Sequence, residues 1–453
     1  MHAKIQDHID KLESLAKDLG LDYFPVEFEL VPPAFMTEIS VYGLPVRIPH
    51  WSFGVRFIHQ HVQHRMGHSR LFEVVFPGNP GRAYLAETNS LEENTLVVAH
   101  VLGHADFSKN NSLFRRSQEQ VGFDIVGLAA SRAKQIADFI ETQGIEKVEA
   151  TLDAALALEQ HIDVTQPLRR PAYREYPDAN PLPAARDPFR SRFDSLPGES
   201  PRPRGPELRP APVPPHPEHD LLWFIATYGQ QLEEWERDIF LMVREESFYF
   251  QPVFSCQIMN EGWASYWHAR LLREASFLPQ NLYLEAAKTH SDVVRPYARQ
   301  DQVALAVNPY HLGFVLWERI VEEQGLEQAR RIMTEDDDFS FIRNHLTADL
   351  AEELQLFRFE ARDDGQIRIV DFDIDDLREE ILAPRFNFGA PRVSVVGLGG
   401  DGSLALAHDH ATDTRGLDLK RAQKVLEYIH RVWRRPVTLR TLDEHGEERL
   451  LAG

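Results

Sequence analysis

The stretch of this 453-residue chain richest in chemistry is AHVLGHADF, in which His100 and His104 stand four residues apart. On a helix, positions i and i+4 lie on one face about a turn apart, so both imidazoles reach one metal ion. The same spacing also suits two buried histidines bonded to backbone or carboxylates. The apolar run TLVVA just ahead favours the metal, because so apolar a helix has little other reason to carry two imidazoles on one face. A second signal is NEGWASYWHARLL, where Glu261 and His268 are two helical turns apart and again share a face. Glu261, beside Asn260 near the helix start, equally suits the positive end of the helix dipole with no ligand at all. The third signal is REESFYF, with Glu245 and Glu246 on a helix among Phe248, Tyr249 and Phe250. Those rings imply that at least one carboxylate points inward, where it needs a cation or donors.

Softer candidates lie beside turns or buried elements: His50 in HWSFG, Glu87 in NPGRAYLAETN, Asp106, Lys109, Asn110 and Asn111 in ADFSKNN, and His311 in NPYHLG. His290, in THSDVVRP, follows the NEGWA helix and is placed to face the same cavity. The tract HQHVQHRMGH (His59, His61, His64, His68) is irregular and reads as surface. His408 and His410 read as structural or surface residues of a strand end, and Cys256, without a local basic partner, reads as core. Walker A, dinucleotide-binding and GxSxG patterns are missing, and GLGGDG leads into a strand rather than a helix.

The elements that must position these groups are mostly helices. Residues 5–19, 91–104 and the region 121–162, split at Gly144, carry helical spacing, with Ser90 a plausible N-cap. VYGLPVRI, LFEVVF and RAYLAET alternate like short strands. Val164–Asp220 holds about half of the chain's 29 prolines and reads as an extended connection. Beyond it one long helix is expected over Asp220–Tyr249, then helices over Asn260–Glu274, Leu282–Arg295 and Pro309–Glu323. From about Asp336 the pattern turns to alternating strands plus one helix. The expected architecture is therefore α+β: a mainly helical core built from 1–163 and 221–335, a Pro/Arg-rich linker at 164–220, and a small α+β domain at 336–453.

The formal net charge of −21 disfavours nucleic acid and anionic membranes. No run of apolar residues is long enough for a membrane span, and the charged amino terminus lacks a secretory pattern. A single cysteine excludes a Cys-rich zinc module and favours a reducing compartment. A cytoplasmic protein is expected.

In order along the chain, PHWSFG, NPxxAYLAETNSL, AHVLGHADFSKNN, DLLWFI, REESFYF, IMNEGWASYWHARL and NPYHLGF resemble the stage V sporulation protein R (SpoVR) family. That resemblance implies a role in spore cortex formation, or in stress and stationary-phase physiology. It also implies a serine protein kinase and a von Willebrand-type protein as partners from the gene neighbourhood. More distantly, HVLGH and NEGWA resemble the HExxH and NEGFA-type segments of gluzincin metallopeptidases. Carried over, this implies His100, His104 and Glu261 as ligands of a divalent metal, zinc by preference. Two departures stand out. Val101 occupies the place of the general-base Glu, and the two segments lie unusually far apart.

Three readings follow. The first is a metal-dependent hydrolase of peptide or peptidoglycan amide bonds, with Glu87, Glu245 or Glu246 as the replacement base. The second is a non-catalytic metal-binding regulator or scaffold of the kinase system. The third is a di-metal carboxylate protein in which Glu87, Glu245, Glu246 and His268 add ligands.

Overall fold

The structure is a computed structural model that describes residues 2–57, 73–165, 213–293, 308–356, 358–361, 367–370, 373–413, 416–443 and 446–453. Most of the proline-rich stretch and the histidines at 59, 61, 64 and 68 lie outside the described residues.

The fold is α+β, and it divides into two compact units: residues 1–149 with 245–389, and residues 150–244 with 390–453. In the first unit, helices α1 (His2–Asp18) and α2 (Pro33–Tyr42) flank strand β1 (Val26–Val31), and strands β2 (Glu73–Phe76) and β3 (Gly81–Ala86) follow. Their sheet has the order β1-β3-β2, with β1 parallel and β2 antiparallel to β3. The central strand is buried almost throughout, as a strand covered on both faces must be. Helices α3 (Leu91–Asn110), α4 (Ser112–Val121) and α5 (Ile125–Gln143) come next. After α6 (Glu234–Ser255), the chain adds α7 (Gln257–Glu274), α8 (Gln280–Val293), α9 (Pro309–Glu335) and α10 (Asp338–His345). The core between them is aromatic: Phe107, Trp263, Trp267, Trp317 and Phe341 are fully buried, together with Leu12 of α1.

Helix α3 starts where local chemistry dictates. The Ser90 hydroxyl accepts the Glu93 N–H while the Glu93 carboxylate accepts the Ser90 N–H, closing a capping box. Two expected elements come out differently. VYGLPVRI is not a strand; Val41 and Tyr42 finish α2, which stops at Gly43 in the left-handed conformation (φ 72°). The region Asp220–Tyr249 is not one helix but two, Leu221–Tyr228 and α6. They part at Gly229, where a β-carbon would fall 2.3 Å from Leu232 Cδ1.

The second unit centres on a four-stranded sheet, β6 (Val393–Leu398), β7 (Leu404–His408), β8 (Val437–Leu442) and β9 (Glu448–Ala452), in sequential order. A hairpin of β4 (Arg358–Ala361) and β5 (Ile367–Val370) precedes it in the chain, within the first unit. Strands β7 and β8 run parallel, and helix α11 (Leu419–Trp433) is the crossover between them. Among the described residues no helix is long and apolar enough to cross a membrane.

Candidate metal centre

Helices α3, α7 and α9 form the frame of the site. The start of α7 is anchored by the buried Asp338 carboxylate, which accepts the N–H groups of Ile258 and Met259 at 2.9 Å each. These amides belong to the first turn and have no partner within the helix. Trp317 Nε1 of α9 donates to the Met259 carbonyl, and one turn on Trp263 Nε1 donates to Asp106 of α3. The register of α7 against its neighbours is thus fixed by polar contacts in an apolar core.

That register brings three donors together. His100 and His104 project from α3 toward Glu261 of α7, and one ligand atom of each lies within 4.8 Å of the other two. Glu261 Oε2 is 3.5 Å from His100 Nε2 and 3.4 Å from His104 Nε2. This buried oxygen accepts no hydrogen bond. A tetrahedral ion with bonds of roughly 2.0–2.1 Å places its ligand atoms about 3.4 Å apart, the spacing of the two Glu261–histidine pairs.

The outward-facing nitrogens are also occupied. His104 Nδ1 lies 2.9 Å from Asn260 Oδ1. An amide oxygen only accepts, so Nδ1 carries the proton and Nε2 keeps its lone pair for the cluster. His100 Nδ1 faces His268 Nδ1 at 2.9 Å. His268 Nε2 in turn meets His290 Nδ1 at 2.5 Å. His268 is thus brought to the cluster with both ring nitrogens turned to other imidazoles and not to the common point.

Charge reinforces the geometry. Burial alone would raise the Glu261 carboxyl, but the two imidazoles, His104 foremost, outweigh it and hold the group at about 2. For His104 burial opposes protonation, yet the Glu261 charge prevails and its pKa is raised. Burial, aided by His104, lowers His100, while burial lowers His268 further still. Two more groups enter this field. Glu73, the first residue of β2, is raised to about 7 by burial and by the Glu261 charge. Tyr310, at the start of α9, lies in the field of the Glu261 carboxylate and stacks on His100 at 6.2 Å between ring centroids. The Glu261 charge, then burial, pushes its phenol upward.

The other candidates go elsewhere. Glu246 is buried against Arg47, Nε to Oε2 at 2.7 Å, and Glu245 pairs with Arg132. Glu87 is exposed at the end of β3. The additional carboxylates of a di-metal set therefore do not assemble from these residues. Asp106 serves the fold, holding Trp263 and the Asp22 N–H, and Asn111 caps α4. Lys109 pairs with Asp22, and Asn110 donates to the Asp22 and Asp106 carbonyls. His50 faces Ser52, His311 is half-buried, and Cys256 lies in the core. In the second unit His408 is buried against Thr441.

Sequence reasoning did not single out Glu73 or Tyr310. An acidic residue in the alternating LFEVVF looks like the wet face of a strand, and NPYHLG drew attention to His311 instead. The one available signal for Tyr310 is its place two residues after Asn308, whose side chain caps α9.

An α+β chain whose helical core buries a two-histidine, one-carboxylate donor set is the class that fold and site define. Residues 1–384 match the family described as SpoVR like protein, and residues 391–444 match the SpoVR-like C-terminal domain. The chain belongs to the SpoVR-like family. It is similar to the uncharacterized protein YcgB of Escherichia coli (strain K12), at 29% identity over 485 residues, covering 98% of this chain and 93% of that protein. No solved structure matches.

Proposed function

We propose that this SpoVR-like protein is a divalent-metal-dependent hydrolase of amide bonds, in peptides or peptidoglycan, with one zinc ion between His100, His104 and Glu261. The observation that carries the reading is the buried Glu261 Oε2, which accepts no hydrogen bond while facing two imidazole nitrogens at 3.4 and 3.5 Å. An unpartnered carboxylate oxygen in that position is costly unless a cation sits on it. Imidazole and carboxylate are the ligands that zinc takes in three-ligand open sites, as in gluzincins.

A divalent ion there supplies Lewis acidity toward a water and a substrate carbonyl. The chain's own residues supply the rest. Val101, at the usual position of the base, is apolar and fully buried. Glu73, held at about 7 beside the Glu261 charge, is the carboxylate suited to take a proton from water and return it to the leaving amine. Glu245 and Glu246, each committed to an arginine, are not suited to that exchange. Tyr310, stacked on His100 and close to the Glu261 charge, is suited to donate its hydroxyl to that carboxylate. The family's link with sporulation fits peptidoglycan peptides as the substrate class.

The test is metal content and turnover together. Full-length protein purified without a histidine tag is expected to carry close to one zinc per chain. His100→Ala is expected to carry almost none and to lose hydrolysis of peptidoglycan stem peptides. Wild-type protein that stays metal-free after incubation with zinc would sink the reading.

A further inference from the structure

We propose that His268 is a positioning residue and not a ligand, and that with His290 behind it it sets the tautomer in which His100 binds metal. This inference rests on the metal reading above and adds to it a relay of three imidazoles. The chain runs His100 Nδ1 to His268 Nδ1 at 2.9 Å, then His268 Nε2 to His290 Nδ1 at 2.5 Å. His268 is fully buried and contributed by α7, whereas the half-buried His290 comes from α8.

A neutral imidazole has one N–H and one lone pair. In a row of three, each contact needs a donor on one side and an acceptor on the other. Only two proton arrangements satisfy both contacts. In one, His100 Nδ1–H donates to His268 Nδ1, His268 Nε2–H donates to His290 Nδ1, and His100 Nε2 keeps the lone pair facing Glu261. In the other, every proton sits at the opposite nitrogen, and His100 presents an N–H to the cluster. The proposed site decides between them: only the first leaves His100 Nε2 a lone pair for a cation held with His104 and Glu261. The first arrangement is selected, and the relay locks it from ring to ring.

Partners of this kind on a ligating histidine typically govern metal affinity by about 10- to 100-fold. His268 does so with its acceptor, Nδ1. A side chain that restores an acceptor at that point should restore affinity, whereas one that merely fills the volume should not. A direct ligand would behave otherwise, because an amide is a poor substitute for a metal-bound imidazole.

The experiment measures zinc affinity of the full chain by competition with a chromogenic chelator, and the visible spectrum of the cobalt(II)-loaded protein. His268→Leu, His268→Gln and wild type are compared, with folding checked by circular dichroism. The expected result is a loss of affinity of about tenfold or more in the leucine variant and recovery to within about threefold in the glutamine variant. The four-coordinate cobalt spectrum is expected in both. Should the leucine variant not fold, His268→Asn, whose shorter amide falls short of His100, takes its place and is expected to bind weakly. An equal loss of affinity in the glutamine and leucine variants, with a changed cobalt spectrum in both, would make His268 a ligand and overturn the proposal. Unchanged affinity in the leucine variant would overturn it too. A wild-type chain that binds no zinc would defeat the metal reading itself, an outcome visible before any variant is compared.

Discussion

Gly103 of α3 lies against the backbone of Ala264 in α7, so closely that a β-carbon on Gly103 would fall 2.6 Å from the Ala264 Cα. The glycine stands between the two histidines of HVLGH, and the residue it meets lies three positions beyond Glu261. On the other side of α7, a β-carbon on Gly262 would fall 2.3 Å from the Gly313 carbonyl carbon of α9. Close helix approach is therefore written into the site at both faces. It lets Glu261 reach two imidazoles on a neighbouring helix.

Gly103→Ala and Gly262→Ala are each expected to force the helices apart. Overpacking of this sort costs about 1–3 kcal/mol, and zinc affinity should fall with it because the donor separations widen. Thermal melts and chelator competition measure the two effects. Gly54→Ala, in a helical stretch with open space around the glycine, is the control: it should leave zinc affinity unchanged and raise stability by at most about 1 kcal/mol.

The paired glutamates give opposite expectations for stability and for metal. Arg47 and Glu246 are almost fully buried, so Glu246→Gln takes the charge partner from a buried guanidinium and should destabilise the fold by about 3 kcal/mol or more. Glu245 and Arg132 are partly solvated, and Glu245→Gln should cost at most about 1 kcal/mol. Neither variant should lose bound metal once folded. Metal loss from folded Glu246→Gln would place that carboxylate in the ligand set after all.

How much of this was legible beforehand depends on the range of the interaction. His100 and His104 announce themselves through helical spacing beside an apolar run, and Glu261 through its place two turns before His268, because polar groups on one helix face leave a local pattern. Glu73 leaves none: it reaches the site through the pairing of β2 with β3, which is long-range, and its alternating neighbours disguise it. His290 was recognisable only as a histidine on the following helix, and its contact with His268 depends on how α8 packs. The strand expected at VYGLPVRI failed because alternation over a few residues does not outweigh a helix already begun at Pro33 and closed by Gly43. Similarly, the apolar periodicity across Asp220–Tyr249 runs through Gly229, where the chain turns. The α+β character and the strands near the carboxy terminus were readable, since their alternation is interrupted by Gly and Asp turns.

Glu73→Gln separates catalysis from binding. The amide keeps the size and hydrogen-bonding capacity of the side chain but cannot take up a proton. If Glu73 is the base, turnover on a verified amide substrate should drop by about 10²–10⁴-fold, with KM and zinc content close to wild type. Retained turnover would move the base elsewhere, and lost zinc would make Glu73 a ligand.

The last expectation concerns pH and the anchor of α7. Burial raises the Asp338 carboxyl from its ordinary 3.8 to about 7, even though two backbone N–H groups and Arg385 favour its charge. Between those values the folded chain retains a proton that the unfolded chain has released. The folded state therefore binds more protons, and its stability falls as pH rises across this window. Below about 4 both states are protonated and the contribution is fully present; above about 7 it is gone. Asp338→Asn cannot ionise, so its own contribution should be flat. The difference in melting temperature, wild type minus Asp338→Asn, should thus shrink steadily from pH 4 to pH 8. Taking the difference cancels the histidines and carboxylates common to both proteins. A difference that grows with pH would mean that the ionised carboxylate is the better cap for Ile258 and Met259, and that burial does not dominate at this position.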